Sequence, residues 1–280
     1  MTILQAIVLG IVQGITEFAP ISSSGHLILV PWLFDWPILN DPNFNKTFDV
    51  ALHMGTLVGA LVYFRHDVWR YLTAWVRSIR TRSISTVDER LAWALVVGTI
   101  PGVIVGASLE DVIQENLSQP VLIAVMLVIF ALVLYVVDRV ASVRRGIADI
   151  TVRDGLVLGV AQALALQPGV SRSGVTITAG RVIGLDRAGA ARFSFLLSLP
   201  IIAGAGVYKA IDLAQTGMPA GMSGPFFWGF VSSALSGYLV IAFLLSYLRK
   251  HDFAVFLWYR IAVAALTIGI VVAGVRPGTI

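Results

Sequence analysis

Glu17, His26 and Arg172 are ionisable residues set inside long apolar stretches, and serine and glycine surround all three. The first stretch reads Gln13-Gly-Ile-Thr-Glu17-Phe-Ala-Pro-Ile-Ser-Ser-Ser-Gly-His26, the second Pro168-Gly-Val-Ser-Arg-Ser-Gly-Val-Thr176. Charge at membrane depth is costly enough to mark a functional candidate. A bland alternative, that Glu17 and Arg172 only neutralise each other, leaves Ser22, Ser23, Ser24, Gly25, Gly169, Ser171 and Ser173 without a reason. Serine ahead of an apolar helix is a favoured N-cap. A Ser- and Gly-rich turn at a helix N-terminus also offers backbone N–H groups and the positive dipole end to an anion. Two such turns beside Arg172, whose planar fork takes two oxygens at once, suit a phosphate or diphosphate.

Glu17 opposes simple anion binding, because a carboxylate beside a diphosphate is repulsive. Gln13, four residues earlier on the same helical face, can share with it a hard divalent cation completed by phosphate oxygens and water. Such a cation reverses the repulsion and stabilises transition-state charge; the competing role for Glu17 is a base without metal. Ser23 and His26 are spaced i, i+3, so His26 can reach either the Ser23 hydroxyl, a poor nucleophile until a base adjoins it, or a proton-bearing phosphate oxygen. Thr176, one turn after Arg172, either donates to a phosphate oxygen or back-bonds within its helix. Asp49 and His53 share a face of the next apolar segment and are expected at the outer mouth; Arg181 and Arg192 are expected on the cytoplasmic rim.

The elements that must carry these residues follow from composition. Of 280 residues, 57% are hydrophobic and 13% charged, against roughly 25% charged in ordinary soluble domains. With a mean hydropathy of +0.85, a soluble globular enzyme is excluded and an all-α polytopic membrane protein is expected. The absence of cysteine rules out disulfides and thiol chemistry. The N-terminus has no basic segment of a cleavable signal. A span needs about 20 apolar residues, which selects six segments, near 47–64, 89–109, 119–137, 188–209, 225–247 and 253–274. Residues 3–34 and 155–184 are also apolar but are interrupted by Pro, Ser and Gly. Irregular backbone at membrane depth survives only where protein or a wet cavity covers it, so both are expected to be re-entrant helix-loop-helix hairpins.

Charge supports that arrangement. Arg65, Arg70, Arg77, Arg80, Arg82 and Arg90 follow the first span; Arg139, Arg144, Arg145 and Arg153 follow the third; Arg249 and Lys250 follow the fifth. The opposite loops hold Lys46, then Glu110, Asp111 and Glu115, then Lys209. The positive-inside rule puts the Arg-rich loops in the cytoplasm, which works only if both interrupted stretches re-enter. The pI of 9.6 therefore reports topology, with no nucleic-acid partner. An ungapped internal match sets Gly10 on Gly159, Gln13 on Gln162, Ser22 on Ser171, Ser24 on Ser173 and Gly25 on Gly174. Residues 1–150 and 151–280 then form two halves of one membrane domain, each with a hairpin and three spans. Three is odd, so the repeat is inverted, and its site is expected at the midplane where the hairpins meet.

The two motifs resemble the signatures of the undecaprenyl-diphosphate phosphatase family, the bacitracin-resistance or BacA/UppP proteins, in order and over essentially the whole chain. The resemblance implies hydrolysis of undecaprenyl diphosphate to undecaprenyl phosphate and phosphate, which recycles the lipid carrier of peptidoglycan synthesis and confers bacitracin resistance. It implies a divalent cofactor, magnesium or calcium, and a multi-pass protein of the bacterial inner membrane whose site faces outward. It implies roles for Glu17 as the second acidic position, Ser23 as nucleophile, His26 and Arg172; Gln13 stands where some members have Glu. The acid-phosphatase-like lipid phosphatases are excluded, because the one Arg-Pro, at 276–277, lacks their upstream Lys. The expected mechanism has Ser23 or a metal-bound water attack the terminal phosphorus with His26 as base or acid. His26 as the nucleophile stays open. The rival class is a transporter or flippase of polyprenyl phosphate or another anion. A homodimer is compatible with the sequence.

Overall fold

The computed structural model describes residues 1–40, 42–216 and 221–279, with the side chains at 40, 42–43, 110–115, 209–210 and 212–216 outside the described set. The loop charges of Glu110, Asp111, Glu115 and Lys209 therefore lie outside the described residues. The fold is all-α: α1 (Ile3–Phe18), α2 (Ser23–Phe34), α3 (Pro42–Tyr63), α4 (Arg65–Thr81), α5 (Val87–Leu117), α6 (Pro120–Val140), α7 (Val152–Ala163), α8 (Arg172–Val182), α9 (Arg187–Thr216), α10 (Ser223–Tyr247) and α11 (Ala254–Val272).

Among the described residues, five helical segments are long and apolar enough to cross a bilayer: Val87–Leu109, Pro120–Val140, Arg187–Tyr208, Ser223–Tyr247 and Ala254–Val272. A sixth crossing results if Phe44–Tyr63 and Arg65–Thr81, bent by 84°, count as one broken span. The segment expected as an Arg-rich loop after the first span is thus helical. Asp67, Tyr71, Ala74 and Ser78 recur at helical spacing and are buried, while Arg70, Arg77 and Arg80 stay exposed. That pattern pins α4 against the body of the protein and leaves its cations to the surroundings.

Helices α1 and α2, and likewise α7 and α8, are too short to cross alone: 16 residues of α1 reach about 24 Å against a core of about 30 Å. Each pair is a helix-loop-helix hairpin. Each hairpin packs on a helix from the other part of the chain, α1 on α10 and α7 on α5. Small residues permit this. A β-carbon at Gly14 would lie 2.6 Å from the Gly237 nitrogen, and one at Gly159 would lie 2.2 Å from the Gly98 carbonyl oxygen. Without water to drive apolar faces together, such close backbone approach is a main source of helix association in a bilayer. Helices α6 and α11 pack together, as do α3 and α9, and they enclose the hairpin tips.

Candidate active site

The two tips are built alike. Ser22 precedes α2 with φ 76° and its hydroxyl accepts from the Gly25 N–H; Ser171 precedes α8 with φ 77° and its hydroxyl accepts from the Gly174 N–H. Positive φ is strained for a residue with a β-carbon, and its occurrence at both matched serines shows that the surroundings enforce it. The tips also bind each other. The Ser22 hydroxyl accepts from the Gly169 N–H at 3.0 Å, and the Ser173 hydroxyl donates to the Ala19 carbonyl at 3.0 Å. Ser22 and Ser173 thus cross-link the hairpins, and Ser171 pairs with Ser173.

Beside this junction lies a cavity of about 670 Å³ lined by Glu17, Ser22, Ser23, Ser24, Ser171 and Arg172, with Asp49, His53 and Gln162 on its walls. Its far lining includes Asn45 and Lys46 near the start of α3 and Ser118 and Gln119 at the α5–α6 turn. Those positions lie at the helix ends opposite the Arg-rich loops. Glu17 is buried and is the hub of the site. Its carboxylate accepts from the Arg172 guanidinium, from Ser23 Oγ at 2.6 Å and from Gln13 Nε2 at 3.0 Å, and His53 Nε2 stands 3.5 Å away. Arg172 Nη1 and Gln13 Oε1 are buried without a partner. A buried polar atom left unpaired costs about 1–3 kcal/mol, so both point to a ligand that completes them.

His26 is placed differently from the sequence expectation that it would attend Ser23. Its Nδ1 is 2.7 Å from the Ser22 carbonyl, which can only accept, and its Nε2 is 2.8 Å from the Tyr259 hydroxyl, with the two rings stacked. In the neutral ring this leaves hydrogen on Nδ1 and makes Nε2 an acceptor of the tyrosine O–H. The base within reach of Ser23 is Glu17. Thr176 is also turned away from the cavity, donating to the Arg172 carbonyl at 2.7 Å and pairing with Ser194. Gly25 and Gly169 are buried at the junction, and Gly169 has φ +94°. Arg181 is buried and bound to Asp138, while Arg192 binds Asp67.

Oxygen donors are available for a hard cation at the unpaired Gln13 Oε1, the Glu17 carboxylate and Ser23. They are too few for a cage made by protein alone, since among the described residues no three His, Cys, Asp or Glu gather. That donor set fits an ion of the magnesium class, which takes one or two carboxylates and keeps phosphate and water for the rest.

Tyr259 and Arg260 are the residues that motif reading misses. Arg260 is fully buried. Its guanidinium donates to the carbonyls of Pro20 at 3.2 Å, Gly169 at 2.7 Å and Val170 at 3.3 Å, so one side chain of α11 holds both tips. A signal existed, because Arg260 is a lone cation inside the last apolar span, and such a residue is a functional candidate by default. Arg260→Met is expected to lower the thermal midpoint in detergent. Each buried carbonyl left unpaired costs about 1–3 kcal/mol, and an unchanged melting curve would contradict the clamp.

The chain is similar to known proteins over nearly its full length. It is 45% identical over 276 residues to a protein named undecaprenyl-diphosphatase from Pelobacter propionicus, covering 98% of this chain and 99% of that one. It is 46% identical over 276 residues to one of the same name from Pelotomaculum thermopropionicum, covering 99% and 98%. A third of that name, from Desulforudis audaxviator, is 47% identical over 259 residues, covering 92% and 93%. The family model described as bacitracin resistance protein BacA matches residues 6–266, and with the hairpin motifs and the full-length similarity the chain belongs to the BacA family.

Proposed function

We propose that this protein hydrolyses undecaprenyl diphosphate to undecaprenyl phosphate and inorganic phosphate. The observation that carries the reading at the level of residues is the Ser23 hydroxyl donating to the buried Glu17 carboxylate at 2.6 Å within a cavity shared by Arg172. It is a nucleophile with its base, beside a cation that a phosphoryl group can claim. Ser23 Oγ attacks the terminal phosphorus and its proton passes to Glu17. The bond from that phosphorus to the bridging oxygen breaks, and undecaprenyl phosphate leaves. Glu17 gives that proton to the departing bridging oxygen and is again a carboxylate; water then attacks the phosphoserine and passes a proton through Glu17 to Ser23 Oγ, which releases phosphate and restores the hydroxyl. Arg172 moves from Glu17 toward the phosphoryl oxygens, where charge neutralisation is most of what phosphoryl transfer requires. Ser24 and the N–H groups at the starts of α2 and α8 bind the remaining oxygens. His26, held by Ser22 and Tyr259, orients the first tip.

Gln13, Glu17 and Ser23 would hold the magnesium or calcium ion, which supplies positive charge between the carboxylate and the diphosphate. Two features support an outward-facing site, as the family reading of a bacterial inner-membrane protein expects: the cavity lining reaches Lys46 and Gln119, and the arginine clusters lie at the other ends of the same helices. The reciprocal packing of α1 on α10 and α7 on α5 supports two inverted halves, 1–150 and 151–280.

The deciding experiment is release of phosphate from undecaprenyl diphosphate by pure protein in detergent, before and after chelation and re-addition of magnesium or calcium. Release that chelation stops and metal restores is expected. Transport of the lipid in vesicles without release in detergent would overturn the reading in favour of a carrier.

A further inference from the structure

Gln162 lies next to the end of α7, is 3% exposed and lines the same cavity, yet neither Nε2 nor Oε1 of its amide has a partner. Nearly all buried side-chain polar atoms in folded proteins are paired, so a buried amide with both ends open requires a reason. In the internal match Gln162 is the counterpart of Gln13. Gln13 bonds Glu17 one turn later, whereas the residue one turn after Gln162 is Leu166. The second hairpin therefore keeps the amide and lacks the carboxylate that would occupy it.

One close approach sets the position of this amide: Gly159, one turn earlier, lets α7 meet α5 at Gly98. Farther along α5, Gly102 faces Gln162 Nε2, and a β-carbon there would stand 3.5 Å from it, at ordinary contact distance. An apolar residue of similar size would fill this place at no polar cost, which makes a purely structural role a poor account of the glutamine.

We propose that Gln162 is a further substrate-contacting residue, its amide N–H donating to a phosphoryl oxygen of the bound diphosphate from the wall opposite the first hairpin. The proposal rests on the phosphatase reading for its substrate. Its chemistry needs only a diphosphate in the cavity. A neutral donor suits this wall: it holds an anion without adding a cation that would compete with Arg172 for Glu17.

The test uses pure wild-type, Gln162→Leu and Gln162→Glu proteins, assayed for phosphate release from the lipid diphosphate, for inorganic diphosphate binding by calorimetry, and for thermal midpoint. Leucine is expected to lower kcat/KM by about ten-fold or more, the size of a lost hydrogen bond to a charged group. It should weaken diphosphate binding in parallel and leave the midpoint equal or higher, because an unpaired amide has been removed. Glutamate should lose more than leucine, since it adds repulsion. Leucine activity and binding within two-fold of wild type would overturn the proposal, as would losses that simply follow a fall in midpoint. If wild type binds diphosphate but releases no phosphate, the phosphatase reading fails, and weaker diphosphate binding by the leucine variant would still sustain Gln162 as an anion ligand.

Discussion

Arg172→Ala is expected to reduce phosphate release by about 10³-fold or more, the scale seen when an arginine that neutralises a transferring phosphoryl group is removed. Arg172 is the cation on the cavity wall that touches Glu17, and its Nη1 is buried without a partner. Substrate phosphate would supply that partner. The loss is expected in KM and kcat together, because the guanidinium contacts the anion both on binding and in transfer. Arg172→Lys should recover only a small part, since an ammonium cannot reproduce the two-oxygen fork. Measured with pure protein at several substrate concentrations, an alanine variant within ten-fold of wild type would place the site elsewhere.

Glu17→Gln should be as damaging with the opposite effect on binding. The amide keeps the shape of the carboxylate and removes both its charge and its capacity to take the Ser23 proton. Loss of a general base costs about 10²–10⁴-fold, so kcat is expected to collapse. Arg172 loses its only carboxylate partner among the described residues and becomes free for phosphate, so at saturating metal KM and the inhibition constant for product phosphate should fall or hold, while the metal concentration needed should rise. The variant should also be less stable, because breaking a buried pair by removing one member costs about 3–5 kcal/mol. A variant whose KM rises as in Arg172→Ala would show that Glu17 acts chiefly in binding. The two variants together form a cycle with Ser23→Ala, in which strong non-additivity is expected for three groups joined by direct hydrogen bonds.

Much of this was legible along the chain because its signals are local. Pro20, the serine run and Pro168-Gly169 interrupt apolar sequence, and both interruptions become hairpin tips. Glu17 and Gln13 are one helical turn apart, and they do bond. Pairings with no local trace were less legible. His26 sits three residues from Ser23 and suggests a dyad, yet its ring is taken by Ser22 and by Tyr259, 233 residues away. Helix α4 hides in an Arg-rich stretch because its buried side is short and polar, with Asp67 and Ser78 among its inward residues.

By itself, the sequence determined that this is an all-helical membrane protein, that two broken stretches carry Glu17, His26 and Arg172, and that those residues suit a diphosphate. Composition, spacing and interruption act within one or two helical turns, and a bilayer leaves few other structures open to them. Only the tertiary structure decided which side chains meet. Crossing the hairpins between the halves, at glycine contacts that admit no β-carbon, sets Arg172 on Glu17, puts Arg260 under both tips and leaves Gln162 open to the cavity. Those contacts join residues about sixty or more positions apart in the chain, so helix crossing decides them and periodicity cannot.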